Sequence, residues 1–286
     1  MPTNTNYFNL SLDTASPSCS LLLGTNGFVS GVTNTLTINS VDTDVAQMKI
    51  WGIVGTRSEN LTPDGTQTVF QLSGTTYPET LTDVSVAGTS LTASDYSYDS
   101  TTGQITFVTA PAASTAVVVS WSETLTENTA TWENYVSTKI ITLPSTDGPK
   151  TVSAKVRDDV YNESTEATVT VTLDTTPPVV TLTAGPTPNK ISKISGKNIS
   201  QFTFQVSEDF TEYFVAVVPN ETTVYSAASA IGVANGSVNM SGVGTFAAGT
   251  PIVCQLTGAD LEAASPGDGT KTIKIFVKDI NNIWSL

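Results

Sequence analysis

The sequence predicts an all-β protein of 286 residues, built as two β-sandwiches in tandem with the first interrupted by a small inserted β domain. Three observations carry this expectation. Apolar residues alternate with polar ones over short stretches bounded by Gly, Asn, Asp and Pro, which is the period-two pattern of half-buried strands. Two pairs of segments recur at long range, so one unit is present twice. The first copy is about 40 residues longer than the second, and the surplus falls in one block.

In chain order, the first copy opens with LDTASPSCSLLLG at 12–24, which lines up with LDTTPPVVTLTAG at 173–185. Its far landmark is DGPKTVSAKVRD at 147–158, matched by DGTKTIKIFVKD at 268–279. Between Met48, Lys49, Ile50 and Trp51 on one side and Ala130, Thr131 and Trp132 on the other lies a block of short strands and turns of its own. Alternation at Val84/Val86, Ile105/Phe107 and Val117/Val119 marks these strands, and Asp64-Gly65 and Thr102-Gly103 mark turns. Insertion at a surface loop is inexpensive, because loop-closure entropy grows only logarithmically with length. Val169, Val171 and Leu173 close the first copy, and Phe202/Phe204/Val206 and Ile273/Ile275 supply strands of the second. The expected domains are therefore 1–56 with 122–174, the insert 57–121, and 175–286. The best place for a helix is the short stretch 259–264.

Composition excludes several functions. Twelve Lys and Arg against 26 Asp and Glu give a formal charge of −14, which cannot gather phosphates by counterion release; nucleic acid and anionic lipid are not expected partners. Histidine is absent, which removes Ser-His-Asp and Cys-His nucleophile arrangements and every imidazole-dependent metal site. No enzymatic activity is expected. Cys19 and Cys254 fall in different copies and read as buried reduced thiols. The longest apolar run, 213–218, is six residues, far short of the roughly 20 that a spanning helix needs, so no membrane insertion is expected. The first twelve residues carry neither a cationic nor an apolar signal region, which reads as a chain made in the cytoplasm.

The LDTTPP segment at 173–178, with DGPKTV at 147–152 and DGTKTI at 268–273, resembles the tandem bacterial immunoglobulin-like repeats of surface proteins and bacteriophage virion proteins. The insert, through Val84, Val86, Gly88, Leu91, Asp95, Tyr96, Gly103, Ile105, Phe107, Ala110 and Pro111, is similar to small β modules of phage tail and head-fibre proteins. The resemblance implies two immunoglobulin-like sandwiches in a virion structural protein, assembled in the host cytoplasm on capsid, neck or tail. Its partners would be other virion proteins, further copies of itself in an array, and a host-surface glycan. A bacterial cell-surface adhesin fragment is the alternative, followed by a carbohydrate-binding module.

Four groups of residues are candidate sites. Asp42 and Asp44, on one face of a strand, together with Asp158 and Asp174, are candidate calcium ligands, since Asp13, Asp174, Asp158 and Asp279 recur at matching positions near turns. Asp also caps turns through its own backbone, which explains the same pattern without an ion. The adjacent pairs Asp158-Asp159 and Glu208-Asp209 point to opposite faces in a strand and do not converge as a glycosidase pair. Among Trp51, Trp121, Trp132, Trp284, Tyr77, Tyr96, Tyr98, Tyr213 and Tyr225, we expect Trp51 and Trp132 to anchor the core of the first sandwich. Tyr96 and Tyr98 share a face and are the candidate glycan contacts. Phe8, Leu10 and Leu12 align with Val169, Val171 and Leu173, so the segment 6–12 reads as a closing strand, either donated to another chain or paired within its own first domain while the second sandwich manages with six strands.

Overall fold

Alternation in sequence becomes alternation of burial. Along Ile199–Val206 every second residue from Ser200 is buried, and Phe202, Phe204 and Val206 enter the core. A computed structural model describes residues 10–74, 77–224 and 236–285, which belong to two units divided between Leu173 and Asp174.

The first unit begins with strands β1 (Ser20–Leu22), β2 (Phe28–Val29), β3 (Thr33–Asn39) and β4 (Val45–Trp51). After the insert come β12 (Glu133–Asn134), β13 (Thr138–Thr142), β14 (Gly148–Asp158) and β15 (Ala167–Leu173). One sheet has the order β1-β3-β13 and the other β12-β4-β14-β15-β2, with β2 joining β15 in parallel. In immunoglobulin lettering this is A-B-E facing C′-C-F-G, so the sandwich is immunoglobulin-like by its own connectivity. Leu36, Ile38, Met48, Ile50, Val152 and Leu173 form the middle of its core. Each such side chain contributes about 1.5–3 kcal/mol through the apolar surface it removes from water.

Trp51 and Trp132 are not the anchors of that core. Both are half-buried and lie outside its cluster of aliphatic side chains. The Trp132 ring instead lies 4.3 Å from the Arg157 guanidinium and 6.0 Å from the Lys49 ammonium, a cation–π position in which the ring covers charged stems.

The insert runs between strands C and C′ as β5 (Val54–Leu61), β6 (Val69–Gln71), β7 (Asp83–Val86), β8 (Thr89–Ser90), β9 (Tyr96–Asp99), β10 (Gln104–Phe107) and β11 (Val117–Thr124). Its two sheets, β6-β10-β9 and β5-β11-β7-β8, enclose a separate cluster that includes Phe70, Leu72, Val84, Ile105, Phe107, Val117 and Val119. The strands β5 and β11 pair without a break from Leu61 opposite Val117 to Val54 opposite Thr124, a few residues beyond the 57–121 block at each end. Backbone bonds from Leu125 N to Ile53 O and from Gly52 N to Leu125 O, each 2.8 Å, continue this ribbon into the host sandwich.

Gly52 makes the bend between β4 and that ribbon. Its φ of +79° suits glycine, and a Cβ there would fall onto the Thr151 carbonyl oxygen of β14. No other residue fits without moving the sheet.

The second unit comprises β16 (Val180–Thr187), β17 (Ile199–Val206), β18 (Phe210–Val218), β19 (Ser241–Phe246), β20 (Ile252–Thr257), helix α1 (Gly258–Ala264) and β21 (Thr272–Asp279). Its sheets are β16-β17-β20 and β19-β18-β21, the same A-B-E and C′-C-F layout. Phe204, Phe210, Tyr213 and Phe246 interlock in its core at ring separations of 4.8–6.3 Å. The helix begins one residue before the expected stretch because Thr257 caps it, accepting the Asp260 N–H at 3.2 Å.

In the first unit β15 covers the edge of β14 from Gly148 to Ala154. On the corresponding side of β21, only the end near Lys278 is paired among the described residues, by Trp284 and by the Ser285 N–H to the Val277 carbonyl at 2.8 Å. Residues 6–9 of the expected donor strand lie outside the described residues, Phe8 with them. Leu10 and Leu12 are 97% and 89% exposed and belong to no strand.

A Gly52→Ala variant should lose about 2–4 kcal/mol, since a left-handed backbone costs a non-glycine residue about 1–2 kcal/mol before the clash is added; chemical denaturation followed by tryptophan fluorescence measures this. Residues 54–124 expressed alone should melt cooperatively with a β-type circular dichroism spectrum. The same melt should shift with acid, because hydrogen bonds from Thr66 hold the Asp64 carboxyl below its usual range, those from Thr92 do so for Asp95, and those from Thr101 bring Asp99 to about 2. A depressed folded-state value contributes stability above the unfolded value near 4, lost as pH falls toward 2. The melting temperature should therefore fall between pH 4 and pH 2, and Asp99→Asn should flatten part of that fall.

Candidate metal centres

Strand β14 ends at Asp158 and strand β21 at Asp279, the same position of the repeat. Each strand buries its last side chain, which places a carboxylate at the rim of each core. The chain then turns, and the backbone N–H groups of the turn converge on that carboxylate. Asp158 Oδ1 accepts from Val160 N at 3.0 Å and Asn162 N at 2.8 Å. Asp279 Oδ1 accepts from Asn281 N at 2.7 Å and Ile283 N at 2.8 Å.

Around each buried carboxylate two more acidic side chains gather. Asp13 and Asp44 join Asp158, and Asp174 and Glu208 join Asp279, with one oxygen from each member of a trio within 4.8 Å of the others. Two ligands that each lie about 2.4 Å from a common ion are at most about 4.8 Å apart, so the spacing suits a shared hard cation. Asp13, Asp158, Asp174 and Asp279, the four that recur between the copies, are therefore drawn into clusters, and Asp44 joins the first of them although the expected strand face shared with Asp42 does not exist. Asp42 joins neither. It lies in the turn between β3 and β4 and not on a strand face, where its Oδ2 accepts the Ser18 N–H at 2.7 Å and the Ser18 and Ser40 hydroxyls at 2.9 and 3.2 Å. Those bonds, the Ser18 N–H foremost, hold its carboxyl below the usual range as a turn cap. Sequence reading passed over Glu208 as a ligand, because its only visible cue was the neighbouring Asp209.

The two clusters differ in how the buried carboxylate is satisfied. Asn162 Nδ2 donates to Asp158 Oδ2 at 2.7 Å, so both oxygens of Asp158 have partners. Burial opposes ionisation there, yet the hydrogen bonds from Asn162 and Val160 outweigh it and the carboxyl titrates below its usual range. At the matching position the second unit has Ile283, which offers no side-chain donor. Among the described residues Asp279 Oδ2 has no hydrogen-bond partner, in a residue 0% exposed. Asn281 donates Nδ2–H to Asp174 Oδ2 at 2.6 Å and leaves its own Oδ1 buried without a partner, in a residue 8% exposed. Burial pushes the Asp279 carboxyl above its usual range, with the Asp174 charge adding to it, against the two backbone N–H groups. An orphaned buried acceptor costs about 1–3 kcal/mol, so two together call for a partner.

The remaining candidates are placed otherwise. Asp159 is exposed beside buried Asp158, and Asp209 accepts the Ala248 N–H at 2.8 Å, so neither adjacent acidic pair converges. Tyr96 and Tyr98 share a face of β9, but that face packs on the core of the insert. The Tyr96 ring lies 6.5 Å from that of Phe107, and the Tyr98 hydroxyl donates to the Pro78 carbonyl at 2.8 Å. The ring area that stacking on a sugar requires is thus used in packing. Tyr225 lies outside the described residues. In the second unit a hollow of about 900 Å³ is lined by Lys190, Ile194, Leu256 and Leu261 together with the ion pair of Lys193 and Glu262 at 3.2 Å.

Cys19 is half-buried, Cys254 is fully buried, and both are free thiols. Burial pushes Cys19 up and Cys254 to about 12, and the Cys254 Sγ donates to the Asn239 carbonyl at 3.0 Å. At pH 8 a thiol-specific alkylating reagent should label Cys19 in the native protein and leave Cys254 unlabelled until denaturant is added. Peptide mass mapping after timed labelling reads this directly.

No family model matches the chain, and no curated protein matches it. Among solved structures it is similar to the fibronectin(III)-like modules of Clostridium thermocellum CbhA, at 11% identity over 93% of this chain and 89% of that one, with a TM-score of 0.31. It is also similar to domains D2 and D3 of the major pilin SpaD from Corynebacterium diphtheriae, at 12% identity over 92% and 82% with a TM-score of 0.17. A third is the type II cohesin dyad from the adaptor ScaA scaffoldin of Acetivibrio cellulolyticus, at 11% identity over 94% and 95% with a TM-score of 0.17.

Proposed function

We propose that this chain is a non-enzymatic structural protein of a bacteriophage virion, carried on capsid, neck or tail, where weak contacts with a host surface are multiplied by copy number. The observation that supports the reading most is the insertion. A module with its own core enters and leaves between neighbouring strands β4 and β12, so a second surface is added without interrupting the sandwich that carries it. The absence of histidine supports a non-enzymatic role, because general acid–base chemistry near neutral pH most often uses that side chain. A charge of −14 supports dense arrays, since copies of like charge resist clumping. Partners under this reading are other virion proteins and further copies of the chain.

Mass spectrometry of purified virions of the phage that carries this reading frame tests the proposal. The expected result is detection at tens of copies or more per particle. Recovery in a bacterial cell-surface fraction, with none in virions, overturns it in favour of a surface adhesin.

A further inference from the structure

Among the described residues of the second unit, two buried acceptors without hydrogen-bond partners stand beside one acidic cluster. Asp279 Oδ2 has no partner, Asp174 and Glu208 bring carboxylate oxygens to within 4.8 Å of the Asp279 ligand atom, and the Asn281 carboxamide lies against Asp174. We propose that the second sandwich binds a single calcium ion through Asp174, Glu208, Asp279 and the carboxamide oxygen of Asn281, and that the matching cluster of the first sandwich does not.

The donor set selects the ion. All four groups are oxygen donors, and the chain contains no histidine that would favour zinc or copper. Three carboxylates and one carboxamide give an uneven, flexible set, which suits calcium's tolerance of six to eight ligands better than the strict octahedron of magnesium. The amide of Asn281 has two nearly isosteric orientations. In the one described, Nδ2 faces Asp174 and Oδ1 is orphaned; a half-turn presents Oδ1 to the ion and takes away an N–H that would point at a cation. The ion also separates three carboxylates that otherwise repel one another.

The first sandwich supplies the contrast. Asn162 already donates to Asp158 Oδ2 at 2.7 Å, so that oxygen is satisfied without an ion. Asp13 and Asp44 are exposed and can stay in water without one. The competing account of the second cluster is a proton shared between Asp279 and a neighbouring carboxylate, which satisfies Oδ2 with no metal at all.

Isothermal titration of the full chain with calcium chloride, after removal of metal with a chelator, decides between them. The expected result is one saturable site per chain, with a Kd of roughly 10⁻⁵ to 10⁻³ M, and a rise of at least about 5 °C in melting temperature at saturating calcium. Glu208→Gln should weaken binding at least about tenfold and Asp279→Asn should abolish it, while Asp158→Asn leaves it unchanged. Glu208 is only half-buried, so E208Q keeps the test decisive even where D279N fails to fold. No saturable heat up to 10 mM calcium with no thermal shift, or undiminished binding in E208Q, overturns the site; loss of binding in D158N overturns its assignment to the second sandwich.

Discussion

A carboxylate buried at the end of strand F sets the geometry of each sandwich. Asp158 and Asp279 sit where the strand leaves the core, and each holds two backbone N–H groups of the following turn on one oxygen. Such charge-assisted bonds are about twice as strong as neutral ones, and they fix the direction in which the chain returns. Everything next in sequence depends on that direction. In the first unit it lays Ser164 against Val156, through Ser164 N to Val156 O at 2.8 Å, and so sets β15 in register on β14. In the second unit the same turn brings Ser285 N to Val277 O at the same distance.

The host sandwich tolerates a long excursion for a related reason. Between C and C′ an immunoglobulin-like sheet needs only that the two strand ends stay where the sheet places them, and the excursion meets this with a two-stranded ribbon. Gly52 lets the chain turn sharply against β14, and Leu125 on the opposite leg packs on the host core. The insert thereby keeps its aromatic residues for its own cluster, with Phe70 and Phe107 edge to face at 5.6 Å, while the host core stays aliphatic.

This division explains what was legible in the sequence. Period-two alternation, the two repeated landmarks and the extra block revealed an all-β tandem with an insertion, because strand burial and turn chemistry are local properties. The helix at 258–264 was legible through the stretch of good helix formers around Leu261. Other features depend on contacts that no spacing records. Trp51 and Trp132 look like core anchors in a chain with few aromatics, yet the core closes with Leu, Ile and Val, and Trp132 covers Arg157 instead. Asp42 and Asp44 differ by two positions, the spacing of a shared strand face, but they lie in a turn where Ser18 claims only the first. Glu208 joins a cluster across 71 residues from Asp279, a separation that no local pattern reports.

Comparing the two copies of the turn shows how one substitution pattern redirects the same carboxylate. In the first copy the side-chain amide stands four residues after the buried Asp, and from there its N–H reaches Asp158 Oδ2. In the second copy the buried amide, Asn281, stands two residues after it, exposed Asn282 follows, and Ile283 holds the fourth position. From the earlier position the amide reaches Asp174 and not Asp279, so the buried carboxylate loses its side-chain donor while the backbone cradle on Oδ1 is unchanged. The fold-determining half of the interaction is thereby kept in both units. Only the second oxygen is free to differ, closed by an internal donor in one sandwich and left without one among the described residues in the other. A duplicated domain can acquire chemistry at such a position at small risk to its fold, because the oxygen that holds the turn and the oxygen that can take a ligand belong to the same side chain but answer to different partners.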